Sequence, residues 1–212
     1  IEGEGKDVLP KDERNIVYQA VKIVFDKLQI TNYKLQITLR NSIPLARGLG
    51  SSAAARIGGL VAANRLCGND LTNQEILKIA TQLEGHPDNV VSAFFGGLCV
   101  SILDKREINY VKLKFPQDLS VVLCIPELTI STEKARKILP KKIPLPEVVF
   151  SSSRVALLLS ALNQKRYDLL KLAMEDKLHQ PYREKLIPGM KKVFQSAYSA
   201  GALGVALSGS GS

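Results

Sequence analysis

Apolar and polar residues alternate over residues 33–40, where Leu35, Ile37 and Leu39 share one side and Lys34, Gln36, Thr38 and Arg40 the other. That period of two predicts a strand. Residues 53–67 are instead mostly small or apolar, with Ser51 or Ser52 placed as an N-cap and Gly68 as a stop, so a helix follows a glycine-rich turn. Upstream, residues 1–5 read as the tail of a strand and residues 9–12 as a turn. Over 13–28, Val17, Ala20, Val21, Val24 and Leu28 fall on one helical face, with Asn15 in the first turn. Thr72-Asn73-Gln74-Glu75 is a capping box opening a helix to about Leu83, and residues 84–90 form a polar, proline-containing turn. Strands are expected over 97–102, 110–115, 119–125 and 204–208, and helices over 147–163, 168–178 and 190–200. A second domain begins near Pro116, dividing the chain into 1–115 and 116–212.

The helix after residue 53 carries Gly58-Gly59, a pair that weakens a helix unless another element packs tightly against it. It is therefore expected to be central and buried. Arg56, one turn in, is expected at the solvent rim, because an unpaired buried arginine would be costly.

The 212 residues suffice for a substantial core. No apolar run of membrane-spanning length, repeat, low-complexity tract or secretory signal is visible. Cys67, Cys99 and Cys124 lie in apolar stretches without metal spacing, which reads as buried free thiols in a reducing, cytoplasmic compartment. The net charge of +9 raises the question of nucleic acid. Its basic residues are dispersed and no aromatics alternate with them, so the charge suits anionic nucleotides without a nucleic-acid partner.

The chemistry concentrates in Pro44-Leu45-Ala46-Arg47-Gly48-Leu49-Gly50-Ser51-Ser52-Ala53-Ala54-Ala55. Glycines at 48 and 50 let backbone approach a phosphate, and a helix start presents free N–H groups and partial positive charge. Ser51 and Ser52 supply hydroxyls that donate to phosphate or ligate Mg²⁺. A Walker loop would need lysine where Ser51 stands, and a dinucleotide fingerprint a glycine where Ala53 stands. The string instead resembles the ATP-binding motif of the GHMP kinases. That resemblance implies ATP contacts from Pro44, Arg47, Gly48, Leu49, Gly50, Ser51, Ser52 and Ala53, and an adenine contact from Asn15.

Leu83-Glu84-Gly85-His86-Pro87-Asp88-Asn89-Val90, followed by Phe95-Gly96-Gly97, narrows the resemblance to the homoserine kinases. It implies that Glu84 and Ser52 hold Mg²⁺, and that His86, Asp88 and Asn89 face the amino-acid substrate, Asp88 meeting its ammonium. Ser131-Thr132-Glu133-Lys134-Ala135-Arg136 is similar to the family pattern that puts Thr132 near the reacting groups and Arg136 on the substrate carboxylate. From the residues alone, Thr132 is a cap and Arg136 a surface residue. Pro181-Tyr182-Arg183 before Leu186-Ile187-Pro188 resembles the element whose arginine joins that carboxylate, here Arg183. Gly209-Ser210-Gly211 resembles the third motif, which lies over the phosphates and substrate, with Ser212 where proline is usual.

By this resemblance the chain is a two-domain α+β protein lacking its first strands and C-terminal part. Its first domain would be like ribosomal protein S5 domain 2 and its second ferredoxin-like, with ATP and the amino acid between them in a homodimer. The implied reaction is in-line transfer of the γ-phosphoryl group to L-homoserine, without a side-chain base. A mevalonate- or sugar-type GHMP kinase is the alternative; its acceptor has no ammonium and would not need Asp88. A non-catalytic, RNA-binding S5-like module would bind with steep salt dependence and ignore Mg-ATP; it would have no use for Glu84.

Overall fold

The computed structural model describes residues 1–211, apart from the side chain of Thr132; Ser212 lies outside the described residues. The chain forms two compact units, one of Ile1–Leu45 with Gly50–Leu113, the other of Ala46–Leu49 with Lys114 onward.

In the first unit the order is β1 (Glu2–Gly3), α1 (Ile16–Lys27), β2 (Arg40–Asn41), α2 (Ser51–Leu66), α3 (Asn73–Glu84), α4 (Asp88–Phe95), β3 (Leu98–Asp104) and β4 (Glu107–Leu113). Helix α2 is mostly small or apolar, and the expected burial holds for one face: Ala53, Ile57, Gly59, Leu60, Ala63 and Asn64 are buried, whereas Gly58, Val61, Ala62 and Arg65 are exposed. It packs against α1, α3 and α4, and Leu60 of α2 is fully buried with Val24, Leu77, Val90 and Val91. The expected close approach occurs at one glycine of the pair. A Cβ on Gly59 would lie 2.9 Å from the Val17 carbonyl oxygen and 3.1 Å from the Ala20 Cβ, whereas one on Gly58 would meet nothing within 4 Å.

Residues 33–40 keep the predicted alternation as half-buried and exposed positions, with Tyr33, Leu35 and Ile37 against the core. Ladder pairing is confined to their end, where β1 and β2 run parallel. A strand needs a neighbour to accept its backbone groups, and alternation alone does not supply one. The hairpin β3–β4 pairs Leu98 with Leu113 through Asp104 with Glu107. Its two-residue turn puts Lys105 and Arg106 at φ 50° and 94°, matching a primed turn. These strands start or end a few residues from the expected limits, and residues 114–115 fall outside β4.

The second unit contains α5 (Thr132–Lys137), α6 (Leu145–Asn163), α7 (Leu170–Ala173), α8 (Gln180–Arg183) and α9 (Met190–Ser199), with single 3-10 turns at Tyr167–Leu169 and Glu184–Leu186. Ile130, Ala135, Ile187 and Met190 form its small core, with Leu128, Leu186, Phe194 and Leu207 against them. The predicted strands at 119–125 and 204–208 form no ladder among the described residues. The Leu207 N–H is taken instead by Gln180 Oε1 at 2.9 Å. The helix predicted over 168–178 stops at Ala173. Asp176 then accepts N–H groups from Leu178, His179 and Gln180 at 2.9, 2.7 and 2.7 Å, a local alternative to continuing the helix.

Two compositional expectations change. Helix α6 is long and apolar enough to cross a membrane by length and composition, with mean hydropathy 1.4 and 11% of that window buried; Glu147, Arg154 and its serines hid this in the sequence. Cys67, Cys99 and Cys124 are free thiols as expected, but none is buried and Cys124 is exposed, on an uncovered stretch where Val121 and Val122 are also open to solvent.

The glycine pair gives a stability test by urea unfolding. Gly58→Ala should stabilise by roughly 0.5–1 kcal/mol through helix propensity. Gly59→Ala should destabilise by roughly 1–3 kcal/mol, because the added methyl must displace the α1 backbone.

Candidate active site

Helix α2 begins without a side-chain cap. Gly50 is its N-cap in the left-handed conformation, at φ 72°, so Ser51 and Ser52 occupy the first turn and do not cap as predicted. The first intrahelical bond runs from Ala54 N–H to the Gly50 carbonyl at 3.0 Å. The N–H groups of Ser51, Ser52 and Ala53 precede it and have no acceptor in the helix. Freed from capping, the Ser52 hydroxyl donates to Glu84 Oε2 at 2.9 Å. Ser51 Oγ lies 3.5 Å from the Ile43 carbonyl.

Glu84 closes α3, where Gly85 turns the chain at φ 88°. Its Oε2 also pairs with Arg56 Nη1. Ser52 and Arg56 stand four residues apart and so share a face of α2. Side-chain exposure is 21% for Arg56 and 11% for Glu84. Arg56 is thus a partnered, mostly covered cation, and the solvent-rim expectation is corrected: the carboxylate removes the cost of burying it.

His86 and Asp88 contact each other through Nδ1 and Oδ1 at the start of α4, the Asp88 side chain remaining 70% exposed. Asn89 borders the helix start, since a Cβ on Gly50 would lie 3.8 Å from its Cβ. Asn15 is the N-cap of α1. Its Oδ1 accepts from Val17 N–H at 2.9 Å and its Nδ2 donates to the Pro10 carbonyl at 2.7 Å. It also lines a cleft of about 330 Å³ with Tyr18, Leu35, Ile37 and Leu39.

Within the second unit, two glycine turns interlock. Ser208 Oγ donates to the Gly48 carbonyl at 2.8 Å. A Cβ on Gly48 would lie 2.0 Å from the Ser208 carbonyl oxygen, and one on Gly209 2.9 Å from the Gly48 oxygen. Arg47 Nη1 donates to the Leu128 carbonyl. Arg183 donates from Nε to the Ala135 carbonyl at 3.2 Å and from Nη1 to the Gly209 carbonyl at 2.7 Å. Burial, then the charge of nearby Arg136, pull its pKa below the usual arginine range, with Asp176 opposing them. Arg136 itself is exposed on α5. Thr132 opens α5, where Ser131 is the cap, but its side chain lies outside the described residues.

Asp176 is a structural residue that the sequence reading missed; its place just ahead of Gln180-Pro181 is the signal for a helix start. Burial acts to raise its pKa, yet the N–H groups of Gln180, His179 and Leu178 outweigh this and hold it below the usual carboxylate range. His179, 3.6 Å from that carboxylate, is lowered by burial against the attraction of Asp176, and Arg183 lowers it further.

The protein matches the model of the GHMP kinases N terminal domain over residues 15–97 and that of the GHMP kinases C terminal domain over residues 158–212. It is 49% identical over 209 residues to a homoserine kinase of Carboxydothermus hydrogenoformans, covering 99% of this chain and 68% of the relative. With a homoserine kinase of Caldanaerobacter subterraneus it shares 46% identity over 211 residues, covering 100% and 68%. A crystal structure of homoserine kinase from Cytophaga hutchinsonii superposes with a TM-score of 0.84 at 33% identity, covering 99% of this chain and 68% of that one. The chain therefore belongs to the GHMP kinases, which are ATP-dependent phosphotransferases, and within them to the homoserine kinase family. The α+β GHMP kinase fold inferred from the glycine motifs agrees with these matches.

Both lowered groups make acid destabilising. His179 contributes stability above its unfolded pKa of about 6.5 that is lost as pH falls toward its folded value, and Asp176 does the same from about 3.9. Melting temperature should fall as pH drops from about 7 to 5, with His179→Gln flattening that limb. Asp176→Ala should cost about 1–3 kcal/mol at neutral pH, as its backbone donors lose their acceptor.

Proposed function

We propose that this chain transfers the γ-phosphoryl group of Mg²⁺-ATP to the side-chain hydroxyl of L-homoserine, giving O-phospho-L-homoserine and ADP. The observation that carries this reading is the start of α2, where the N–H groups of Ser51, Ser52 and Ala53, which have no acceptor within the helix, stand beside the Ser52 hydroxyl and the Glu84 carboxylate. Such a helix start suits phosphate oxygens. The interlocked Gly48 and Gly209 turns leave no room for a side chain, as a backbone that approaches a nucleotide requires. Pro44, Arg47, Leu49, Gly50, Ser51 and Ala53 complete the ATP-binding loop in this reading, and Asn15 borders the adenine.

Magnesium keeps several waters and uses one or two protein carboxylates besides phosphate oxygens. Ser52 Oγ and Glu84 Oε2, 2.9 Å apart, fit that small demand; among the described residues no cluster of three ligating side chains exists. The ion, when bound, would neutralise charge on the phosphates. The chain's own residues position the acceptor. Asp88, its carboxylate largely exposed, pairs with the substrate ammonium, His86 orients Asp88 through their contact, and Asn89 adds a polar contact. Arg136 and Arg183 bind the carboxylate with planar, multi-donor guanidinium groups. Gly209 shapes the turn to which Arg183 is fastened, and Thr132 lies near the reacting groups. None of these is assigned as a general base, so transfer proceeds by positioning and charge stabilisation.

Free thiols at all three cysteines suit a reducing compartment, and we place the protein in the cytoplasm. The net charge of +9 suits nucleotide chemistry without nucleic acid, and a homodimer without a membrane partner follows from the resemblance.

Steady-state ADP release, with L-homoserine, L-threonine, mevalonate and galactose offered separately, tests the proposal. Turnover with homoserine alone is expected, and turnover with mevalonate or galactose instead would overturn the substrate assignment. Asp88→Asn should reduce kcat/KM for homoserine by roughly 10–100-fold, the size of a lost charge-assisted bond. The bulk of that loss should fall on KM, with ATP affinity unchanged.

A further inference from the structure

The proposed metal carboxylate is already neutralised. Glu84 Oε2 receives the Ser52 hydroxyl and the Arg56 guanidinium together, and both side chains of the ion pair are largely covered. This arrangement is built into the helices. Ser52 and Arg56 project from one face of α2, one turn apart, and Glu84 is fixed at the last position of α3 by the left-handed Gly85 behind it. Within such a pair, taking away one partner leaves a buried charge without compensation.

We propose that Arg56 is a built-in stand-in for the divalent cation at Glu84, and that the two positive charges compete for that carboxylate. Resting on the reading of Glu84 and Ser52 as the metal site, this has two consequences. Without a divalent cation, Arg56 cancels the charge that Glu84 would otherwise turn against incoming phosphates, so metal-free nucleotide binds. With the cation, Arg56 must give up Glu84, and part of the metal's binding free energy is offset by the lost ion pair. The dependence of nucleotide affinity on metal is therefore shallower than a bare Ser–Glu site would give. Arg56 acts through Glu84 and is a positioning residue in this scheme.

The quantity to measure is the ratio of affinities for a non-hydrolysable ATP analogue with Mg²⁺ and with EDTA, obtained calorimetrically on the intact protein. Arg56→Met keeps the volume and removes the charge. It should raise the ratio by about tenfold, within the usual range of coupling between sites, chiefly by weakening metal-free binding. Arg56→Lys should fall between the two, since lysine keeps the charge but not the fork. Glu84→Gln should lower the ratio, and in that background Arg56→Met should have no further effect, because there is no carboxylate left to share.

The outcomes separate the two claims. If Glu84→Gln lowers the ratio while Arg56→Met leaves it unchanged or lowers it, the competition is wrong and the metal-site reading stands. If Glu84→Gln leaves the ratio unchanged, the metal-site reading itself fails, and the proposal with it. Equal thermal unfolding of Arg56→Lys and the parent protein checks that its shift in ratio is not a folding defect; a large loss of stability with an unshifted ratio would mark the pair as purely structural and overturn the proposal.

Discussion

The burial of one face of helix α2 is the constraint on which the first unit depends. Three other helices pack on that face, which carries Ala53, Ile57, Leu60 and Ala63, and α1 can come close enough only where Gly59 lacks a side chain. That packing fixes the axis of α2, and the axis fixes where its first turn presents its N–H groups and the Ser52 hydroxyl. A core requirement thereby becomes a site geometry. The same helix carries Arg56 on the face that meets Glu84, so the site's charge balance is also set by how α2 is rotated.

In the second unit the dependence runs through hydrogen bonds to backbone carbonyls. Arg183 is fastened to the carbonyls of Ala135 and Gly209, which ties α5, α8 and the last glycine turn to one guanidinium. Asp176 in turn organises the start of α8 by accepting three consecutive N–H groups. The apolar cluster of this unit is small, and such polar ties carry a correspondingly larger share of its definition.

Features that depend on close neighbours along the chain were legible in the residues themselves. The Thr72–Glu75 capping box forms as read, with both of its bonds present, and the helical face of Val17, Ala20, Val21 and Val24 is the buried one. Features that depend on a distant partner were not. Alternation at 33–40 foretold burial but not a ladder, and 204–208 lost a backbone donor to Gln180, which no local pattern announces. At residue 50 the sequence allowed two ways to start one helix, a serine cap or a left-handed glycine; both satisfy local rules, and packing chose the glycine. The pairing of Ser52 with Glu84 was expected from the family resemblance of the two motifs, and the two side chains do meet. The partner of Arg56 was not expected, since it lies 28 residues away on another helix.

The contact between the Gly48 carbonyl and Ser208 joins positions 160 residues apart. Closing so long a loop is entropically slow relative to forming local turns. As the chain is synthesised, α2 has all its own sequence early, but the turn that precedes it waits for Ser208, far downstream, before it can take its final shape. The Gly48 turn is thus completed late in folding, once Ser208 and Gly209 are available to close on it.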